Sequence, residues 1–385
     1  MIVVEKYLGV TNGHEHTIPR AIEALAPDSN RLYVTGVDYE QGSLSGISVK
    51  AVLSTRRDHK KRPQWSVRHD TQKLKELIIE CADKQPPSVL IPTTHVHDVR
   101  ICLALLDELP DGVVFYLRFL TEHHIQGLEE SEYKRLRTAI ADKQVVLVTE
   151  TSYLADHLLS CYDMPSEDCL LLPVTLLRAT HADNGLGSDK GTARPLRVGY
   201  LGGPRKEKGG DLIPDIIRQL RVKCARDAPG LSVEFVMQKP KTRKRLRSLR
   251  YQFALCCGAR FGFWTKGFSV RFLPADLDSQ AFQRVLESVD VLLLPYNDQA
   301  YRNRGSGIII DGVMAHKPLV HTAGMKMSDL LDHGNAVPSE QTAVSYADKV
   351  VNVLINLNNY DAPTRKAADA LQVHIRRSAE FLKSI

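Results

Sequence analysis

The order of elements along this 385-residue chain predicts an α/β fold of two Rossmann-like, doubly wound parallel-sheet domains that face a central cleft. Three observations support this prediction. Short apolar runs such as VVFYL and VVLV are typical of strands that are buried on both faces. Amphipathic helical segments alternate with these runs, as right-handed crossovers require. The pattern then restarts after a break, and a chain of this length usually divides its core between two domains.

The first half of the chain, residues 1–180, is predicted to form the N-terminal domain. Its strands are Ile2–Tyr7, Arg31–Thr35, Ser88–Pro92, Gly112–Leu117 and Gln144–Thr149. Its helices are Ile18–Leu25, Leu74–Ala82, Val99–Leu109 and Tyr133–Ala141. The opening residues lack the basic start and the long apolar core of a signal peptide, so we expect a buried first strand there.

Residues 181–194 are the predicted linker, because they contain three glycines and few apolar side chains. The pattern restarts over residues 195–365, the predicted C-terminal domain. Its strands are Leu196–Leu201, Ser232–Met237, Val270–Leu273, Val291–Pro295 and Pro318–His321. Its helices are Asp211–Leu220, Ala281–Glu287, Ile308–Met314 and 342–357. We expect a last helix, residues 366–385, to pack back toward the N-terminal domain.

The composition narrows the classes of protein that this chain can belong to. Hydrophobic residues make up 43% and charged residues 25%, which is ordinary for a globular domain, and no apolar run reaches the roughly 18 residues of a membrane span. Seven cysteines without a CxxC pair indicate reduced thiols in a cytoplasmic protein. A net charge of +6 suits anionic ligands such as nucleotide diphosphates, nucleic acid or an acidic membrane surface.

The loop after the first strand, LGVTNGHEH, is a candidate substrate loop. Gly9 and Gly13 allow a tight turn whose backbone N–H groups can meet a ligand, and His14 follows them. An ordinary turn at the start of a helix explains the same residues equally well. A metal site at His14 and His16 is weakly supported, because the two side chains would point to different sides of a helix.

Two later strands of the first half also end in polar loops. His95 follows the strand Ser88–Pro92 and is expected to contact a substrate hydroxyl, with a surface histidine as the alternative. His95 and His97 could share one face and bind a metal, but no third ligand is evident, so we predict no metal. Arg118 directly follows its strand and can meet a phosphate or an acceptor, and His123 lies further along the same loop.

The sharpest local pattern lies in the second half. The strand Leu196–Leu201 is followed by Gly202 and Gly203, and then by Arg205 and Lys208 before an amphipathic helix. Glycines let the backbone approach an anion, and the helix N-terminus adds oriented N–H groups and partial positive charge, so a diphosphate is the expected ligand. The spacing differs from a Walker P-loop, and an exposed basic turn is the alternative.

The stretch from Asp290 to Val320 resembles the nucleotide-sugar-binding signature of retaining glycosyltransferases of family four, the group one transferases. The matching segments are Asp290-Val291, Leu294-Pro295-Tyr296, Ser306-Gly307, Asp311 and Lys317-Pro318-Leu319-Val320. A subset of the family carries Y-x-x-R-x-S-G, which Tyr301, Arg304, Ser306 and Gly307 match. The chain departs from the family at Asn303, which replaces the first Glu of E-x(7)-E, at Asp311, which replaces the second, and at His316, which replaces a glycine.

The resemblance implies the GT-B architecture and a nucleotide diphosphate sugar as the donor, with retention of configuration and without a metal or other cofactor. The donor-binding residues that it implies are Gly202, Gly203, Tyr296, Arg304, Ser306, Gly307 and Asp311. Asp311 would accept hydrogen bonds from the ribose hydroxyls, as the second Glu of the family does. Arg205 and Lys208 would neutralise the leaving diphosphate, while His95, Arg118 and His123 would act from across the cleft.

The acceptor is expected to be a glycan, a lipid-linked or a small molecule that docks on the N-terminal domain beside Gly9, Gly13 and His14. The segment 239–250 has seven basic residues and no acidic one. A solvated face explains it best, followed by contact with an anionic membrane from the cytoplasmic side and then by nucleic acid. Three alternatives to a transferase stay open: a non-catalytic nucleotide-sugar-binding homologue, a sugar-nucleotide epimerase of the same fold, and a nucleic-acid-binding protein.

Overall fold

A computed structural model describes residues 1–8, 17–27, 30–40, 44, 46–82, 86–167, 169–172, 194–239 and 267–385. The chain forms two compact units. Unit 1 comprises Met1–Leu176, Asn303–Gly305 and Val373–Ile385, and unit 2 comprises Leu177–Arg302 and Ser306–Gln372. The predicted linker lies outside the described residues except for Arg194, and the basic segment 239–250 does so except for Lys239.

Unit 1 contains a parallel sheet of seven strands with helices between them. The strands are β1 (Ile2–Val4), β2 (Leu32–Gly36), β3 (Val49–Leu53), β4 (Ser88–Ile91), β5 (Val114–Phe119), β6 (Val145–Thr149) and β7 (Ser166–Glu167). The helices are α1 (Ile18–Leu25), α2 (Arg56–Lys61), α3 (Pro63–Ala82), α4 (Val96–Leu105), α5 (Glu130–Ala141) and α6 (Ser152–Tyr162). The strand order is β3-β2-β1-β4-β5-β6-β7.

Unit 2 contains a parallel sheet of six strands. The strands are β8 (Leu196–Tyr200), β9 (Val233–Gln238), β10 (Phe268–Leu273), β11 (Val291–Leu294), β12 (Leu319–Thr322) and β13 (Ala336–Ser339). The helices are α7 (Ile213–Asp227), α8 (Ser279–Ser288), α9 (Asp298–Tyr301), α10 (Gly307–Met314), α11 (Ser328–Leu331) and α12 (Ala343–Ile355). The last helix, α13 (Asp361–Ser384), belongs to unit 2 up to Gln372 and to unit 1 from Val373 onward. The strand order is β10-β9-β8-β11-β12-β13.

The sheet of unit 1 is covered on both faces, and the alternation along β1 shows this directly. Ile2 and Val4 belong to one apolar cluster, which also contains the inner face of α3, whereas Val3 belongs to a second cluster. The second cluster includes Leu382 near the end of α13. Ser378 of the same helix donates its hydroxyl to the carbonyl of Cys169 at 2.9 Å. The final residues of the chain are therefore part of the unit 1 core.

The predicted fold class, two Rossmann-like doubly wound parallel sheets, is confirmed. The largest difference from the predicted elements lies at the start of α3, which begins at Pro63 instead of Leu74. Pro63 suits a first helical turn, but the buried face of the early turns carries Ser66 and Asp70, so the apolar period was invisible there. Among the described residues, no helix has the length and apolarity that a bilayer crossing requires.

Candidate functional site

Each sheet has a topological switch point, where the strand order reverses. In unit 1 the reversal lies between β1 and β4, and in unit 2 it lies between β8 and β11. Loops that leave two such neighbouring strands diverge, so a crevice opens at the carboxyl edge of the sheet, where open α/β proteins bind ligands. The two edges in this chain have different chemistry.

The loop after β8 is held close to the end of β11 by glycine. Gly202, Gly203 and Gly209 have φ of 90°, 73° and 69°, in the left-handed region that favours glycine. A Cβ atom on Gly209 would lie 1.8 Å from the carbonyl oxygen of Pro295. Gly202 N–H donates to Oε1 of Gln238 at 2.7 Å, which ties the loop to the end of β9. The backbone is therefore fixed in an open turn at the switch point.

Lys208 lies beneath this loop. Its side chain is 5% exposed, and a Cβ atom on Gly202 would lie 2.5 Å from its Nζ. The same Nζ is 5.3 Å from the centroid of the Tyr296 ring. Arg205, in contrast, is half exposed and pairs with Glu207 at 3.2 Å. Of the two predicted cations, only Lys208 is held at the switch point by its surroundings.

The helix α10 begins beside the same loop. Ser306 is its N-cap residue, and residues 307–314 include a continuous buried run from Ile308 to Met314. A Cβ atom on Gly202 would lie 3.6 Å from the Ile308 side chain, so the N-terminal turn of α10 and the glycine loop are adjacent. The positive end of the helix dipole points to that edge. Asp311, one turn into α10, is 1% exposed.

The residues that precede α10 in the sequence fall into two groups, which belong to different units. The rings of Tyr296 and Tyr301 are both buried, with centroids 4.3 Å apart. Arg304, unlike the other predicted donor-binding residues, belongs to unit 1, and so does its neighbour Asn303. The Asn303 amide donates to Oε2 of Glu122 at 3.3 Å, so the family's glutamate at this position would place two carboxylates together.

The carboxyl edge of unit 1 carries a buried cluster of charged side chains. Lys6 lies two residues after the end of β1, and its Nζ lies 2.6 Å from Oδ1 of Asp98 and 3.6 Å from Oδ2 of Asp70. All three residues are at most 5% exposed. Asp98 also accepts the backbone N–H of His95 at 2.8 Å, which caps α4. The start of α4 is thereby tied to the end of β1.

Two histidines extend this cluster. Nε2 of His59 and Nε2 of His97 each lie 3.3 Å from Oδ2 of Asp70, and the two rings stack at 4.1 Å. The hydroxyl of Tyr7 is 2.9 Å from Nδ1 of His59. Burial acts to raise the pKa of Asp70, but hydrogen bonds from His59 and His97 and the charge of Lys6 outweigh it and hold that pKa well below its usual range. Asp70 is therefore ionised.

The predicted histidines of unit 1 have different surroundings. The ring of His95 lies 4.2 Å from that of His124 and 6.4 Å from that of Tyr7, at the switch point. Burial, followed by the charge of His95, lowers the pKa of His124 to about 3. His123 is exposed, and its Nδ1 contacts Oε1 of Gln126 at 2.7 Å. Gly9, Gly13 and His14 lie outside the described residues.

Arg118 is buried among protein acceptors. Its Nε donates to the carbonyl of Leu170 at 2.8 Å, its Nη1 donates to the carbonyl of Pro92 at 2.9 Å, and its Nη2 pairs with Glu150. These contacts hold the end of β4 and the segment after β7 against β5. The catalytic assignment of Arg118 stays a prediction, and the geometry supports a positioning role. Lys6, Tyr7, His59 and Asp70 were missed, because no sequence motif joins them.

A scan against protein-family models gives no match, and a search of curated proteins gives none. Solved structures do resemble the chain. A glycosyltransferase from Rickettsia africae ESF-5 is 12% identical with a TM-score of 0.67, over 100% of this chain and 97% of its own. HepE from Anabaena in complex with UDP is 14% identical with a TM-score of 0.64, over 100% and 99%. The UDP-forming α,α-trehalose-phosphate synthase of Burkholderia xenovorans, in complex with glucose-6-phosphate, is 11% identical with a TM-score of 0.63, over 100% and 98%.

These identities are low, so the likeness shows the fold alone. The fold is the GT-B class of two Rossmann-like parallel-sheet units, as the sequence predicts.

Proposed function

We propose that this protein is a glycosyltransferase that takes a sugar from a nucleotide diphosphate sugar bound to unit 2. One observation carries the proposal: the buried Lys208 lies beneath a fixed glycine loop and beside the N-terminus of α10, at the switch point between β8 and β11. A buried cation, the backbone N–H groups of a glycine loop and a helix N-terminus together suit an anion. The structural neighbours that hold UDP or are UDP-forming support UDP as the nucleotide.

The proposed chemistry depends on stabilising the negative charge of the leaving group. As the bond between sugar and diphosphate breaks, negative charge develops on the leaving phosphate, and Lys208 with the α10 N-terminus stabilises it. Asp311 accepts hydrogen bonds from the ribose diol, and Arg205 adds attraction from the rim of the loop. In this proposal the transfer needs no metal and retains configuration. The acceptor is a glycan, a lipid-linked or a small molecule that binds unit 1, and His95 contacts one of its hydroxyls.

The first experiment measures binding and turnover of a panel of nucleotide diphosphate sugars, with and without a chelator. Lys208→Met should weaken binding of the preferred donor about 10–100-fold, the factor that follows from losing about 1.5–3 kcal/mol from a charged hydrogen bond. Arg205→Met is the matched control and should weaken binding less than Lys208→Met. Equal binding by wild type and Lys208→Met, in a folded variant, would remove Lys208 from the donor site.

A non-catalytic nucleotide-sugar-binding homologue is the second candidate, and the contact of Asn303 favours it. The amide at this position turns to Glu122 instead of offering a carboxylate to a sugar. Tight donor binding without release of free nucleotide, with or without acceptors, would support this candidate. Release of free nucleotide and sugar without an acceptor would instead indicate an epimerase.

A further inference from the structure

Three potential metal ligands meet at the carboxyl edge of unit 1, one from each of three helices. Nε2 of His59 on α2, Oδ2 of Asp70 on α3 and Nε2 of His97 on α4 all lie within 4.8 Å of one another. We propose that unit 1 binds one divalent transition-metal ion, of the zinc class, through these three atoms. Nothing in this inference depends on the proposed transferase activity.

The spacing of the ligand atoms suits such an ion. Two atoms that bind zinc at about 2.0–2.1 Å with tetrahedral geometry are about 3.3 Å apart. Both Nε2 atoms lie 3.3 Å from Oδ2 of Asp70. The stacked rings, with centroids 4.1 Å apart, present both nitrogen atoms to the same carboxylate oxygen. The three side chains are 10%, 0% and 15% exposed, so the histidine side has access to solvent.

The charge of the cluster also attracts a cation. Asp70 and Asp98 contribute two negative charges and Lys6 contributes one positive charge, all in buried positions. Lys6 is closer to Asp98, at 2.6 Å, than to Asp70, at 3.6 Å. The excess negative charge therefore falls on Asp70. The backbone N–H and the hydroxyl of Ser54 donate to its two oxygens at 2.7 and 2.9 Å, and the same hydroxyl lies 2.7 Å from Nε2 of His59, but these neutral groups do not cancel the charge. A cation at Oδ2 meets this excess.

One of the three ligands, His59, has a hydrogen-bond partner on the side of its ring that faces away from the metal site. Tyr7 lies 2.9 Å from Nδ1 of His59, and when Nδ1–H donates to this hydroxyl, the lone pair of Nε2 is directed at the site. Two imidazoles with one carboxylate suit Zn²⁺ and Co²⁺ better than Mg²⁺ or Ca²⁺, which prefer oxygen ligands. The ion would cross-link α2, α3 and α4 at the switch point.

The first test is a titration of tag-free, metal-stripped protein with Co²⁺, read by its visible d–d absorption, followed by displacement with Zn²⁺. We expect one equivalent to bind. Loss of an outer partner weakens metal binding about 10–100-fold, so Tyr7→Phe should weaken Co²⁺ binding roughly tenfold. His59→Gln and His97→Gln each remove a ligand, so each should weaken Co²⁺ binding by more than that range. His69→Gln is the matched control, because His69 neighbours Asp70 on α3 but contacts the carbonyl of Val52 instead.

Absence of equimolar binding by the wild type would overturn the proposal, as would unchanged binding in both histidine variants. If those variants fail to fold, X-ray absorption of the zinc-loaded wild type decides: a shell of nitrogen and oxygen supports the site, and sulfur scatterers overturn it. Sulfur scatterers would indicate a cysteine site instead, for which Cys161, with its Sγ 3.5 Å from Nδ1 of His157, is one candidate. Donor binding measured in the same samples should change less than twofold, so the metal site and the proposed transfer can fail separately.

Discussion

The two units share one strand order around their switch points, yet their carboxyl edges are built from different groups. In the described part of unit 2 the edge consists mainly of backbone, with a glycine loop packed against the Pro295 carbonyl above the buried Lys208. In unit 1 it consists of side chains, with a buried lysine, two carboxylates and two histidines in mutual contact.

A doubly wound sheet therefore determines where a ligand can bind, whereas the groups at its carboxyl edge determine which ligand binds. Backbone N–H groups and a helix N-terminus favour an anion at the edge of unit 2. Imidazole and carboxylate groups at the edge of unit 1 favour a cation or a hydroxyl. Variants that remove one type of group at a time test whether the two edges depend on these different groups.

The largest effect is expected at Lys6. Lys6→Met leaves Asp98 and Asp70 buried without their cation, and breaking a buried ion pair in this way costs about 3–5 kcal/mol. The midpoint of urea unfolding measures the loss. Lys50→Met is the control in the same unit, because Lys50 and Glu80 are exposed and such pairs contribute about 0–1 kcal/mol. Similar midpoints for the two variants would show that side-chain charge does not hold the unit 1 edge together.

A smaller effect is expected from Gly209→Ala at the unit 2 edge. The left-handed φ costs a non-glycine residue about 1–2 kcal/mol, and the clash with the Pro295 carbonyl adds about 1–3 kcal/mol. Gly203→Ala is the matched control, because its φ is also positive but its Cβ would meet no atom within 4 Å. Thermal unfolding measures both variants. If Gly203→Ala reduces stability as much as Gly209→Ala, the close packing on β11 is not what holds the loop.

The effect that is smallest at neutral pH, and that grows only as the pH falls below about 6.5, is a pH dependence at His124. In the unfolded chain this side chain takes up a proton near pH 6.5, whereas in the folded protein its pKa is about 3. The unfolded state binds more protons between these values, so stability falls as the pH is lowered from about 6.5 to about 3. The slope of the unfolding free energy against pH includes a contribution from His124 of at most about 1.4 kcal/mol per pH unit, and His124→Gln should remove it.

The measurement for His124 is the urea midpoint at a series of pH values. The exposed neighbour His123→Gln serves as the control and should leave the acid slope unchanged. Identical slopes for wild type and His124→Gln would mean that the buried imidazole at the unit 1 edge does not contribute to acid sensitivity.

The prediction from sequence was best where the signal is local. The helix α1 was predicted with its observed bounds, and the glycine loop after β8 was placed correctly. The elements that were missed, such as β3 and α2, have few fully buried residues, so they carry a weak apolar pattern. The early turns of α3 were missed because their buried face carries Ser66 and Asp70.

Local sequence patterns were enough to predict the fold class, the two α/β halves and the loop that suits a diphosphate. These follow from strand and helix periods and from glycine spacing, which are properties of neighbouring residues. Only the tertiary structure decided that Lys6, His59, Asp70 and His97 meet. Their positions are separated by whole elements, and the packing of three helices at one sheet edge, which no local pattern encodes, brings their side chains together.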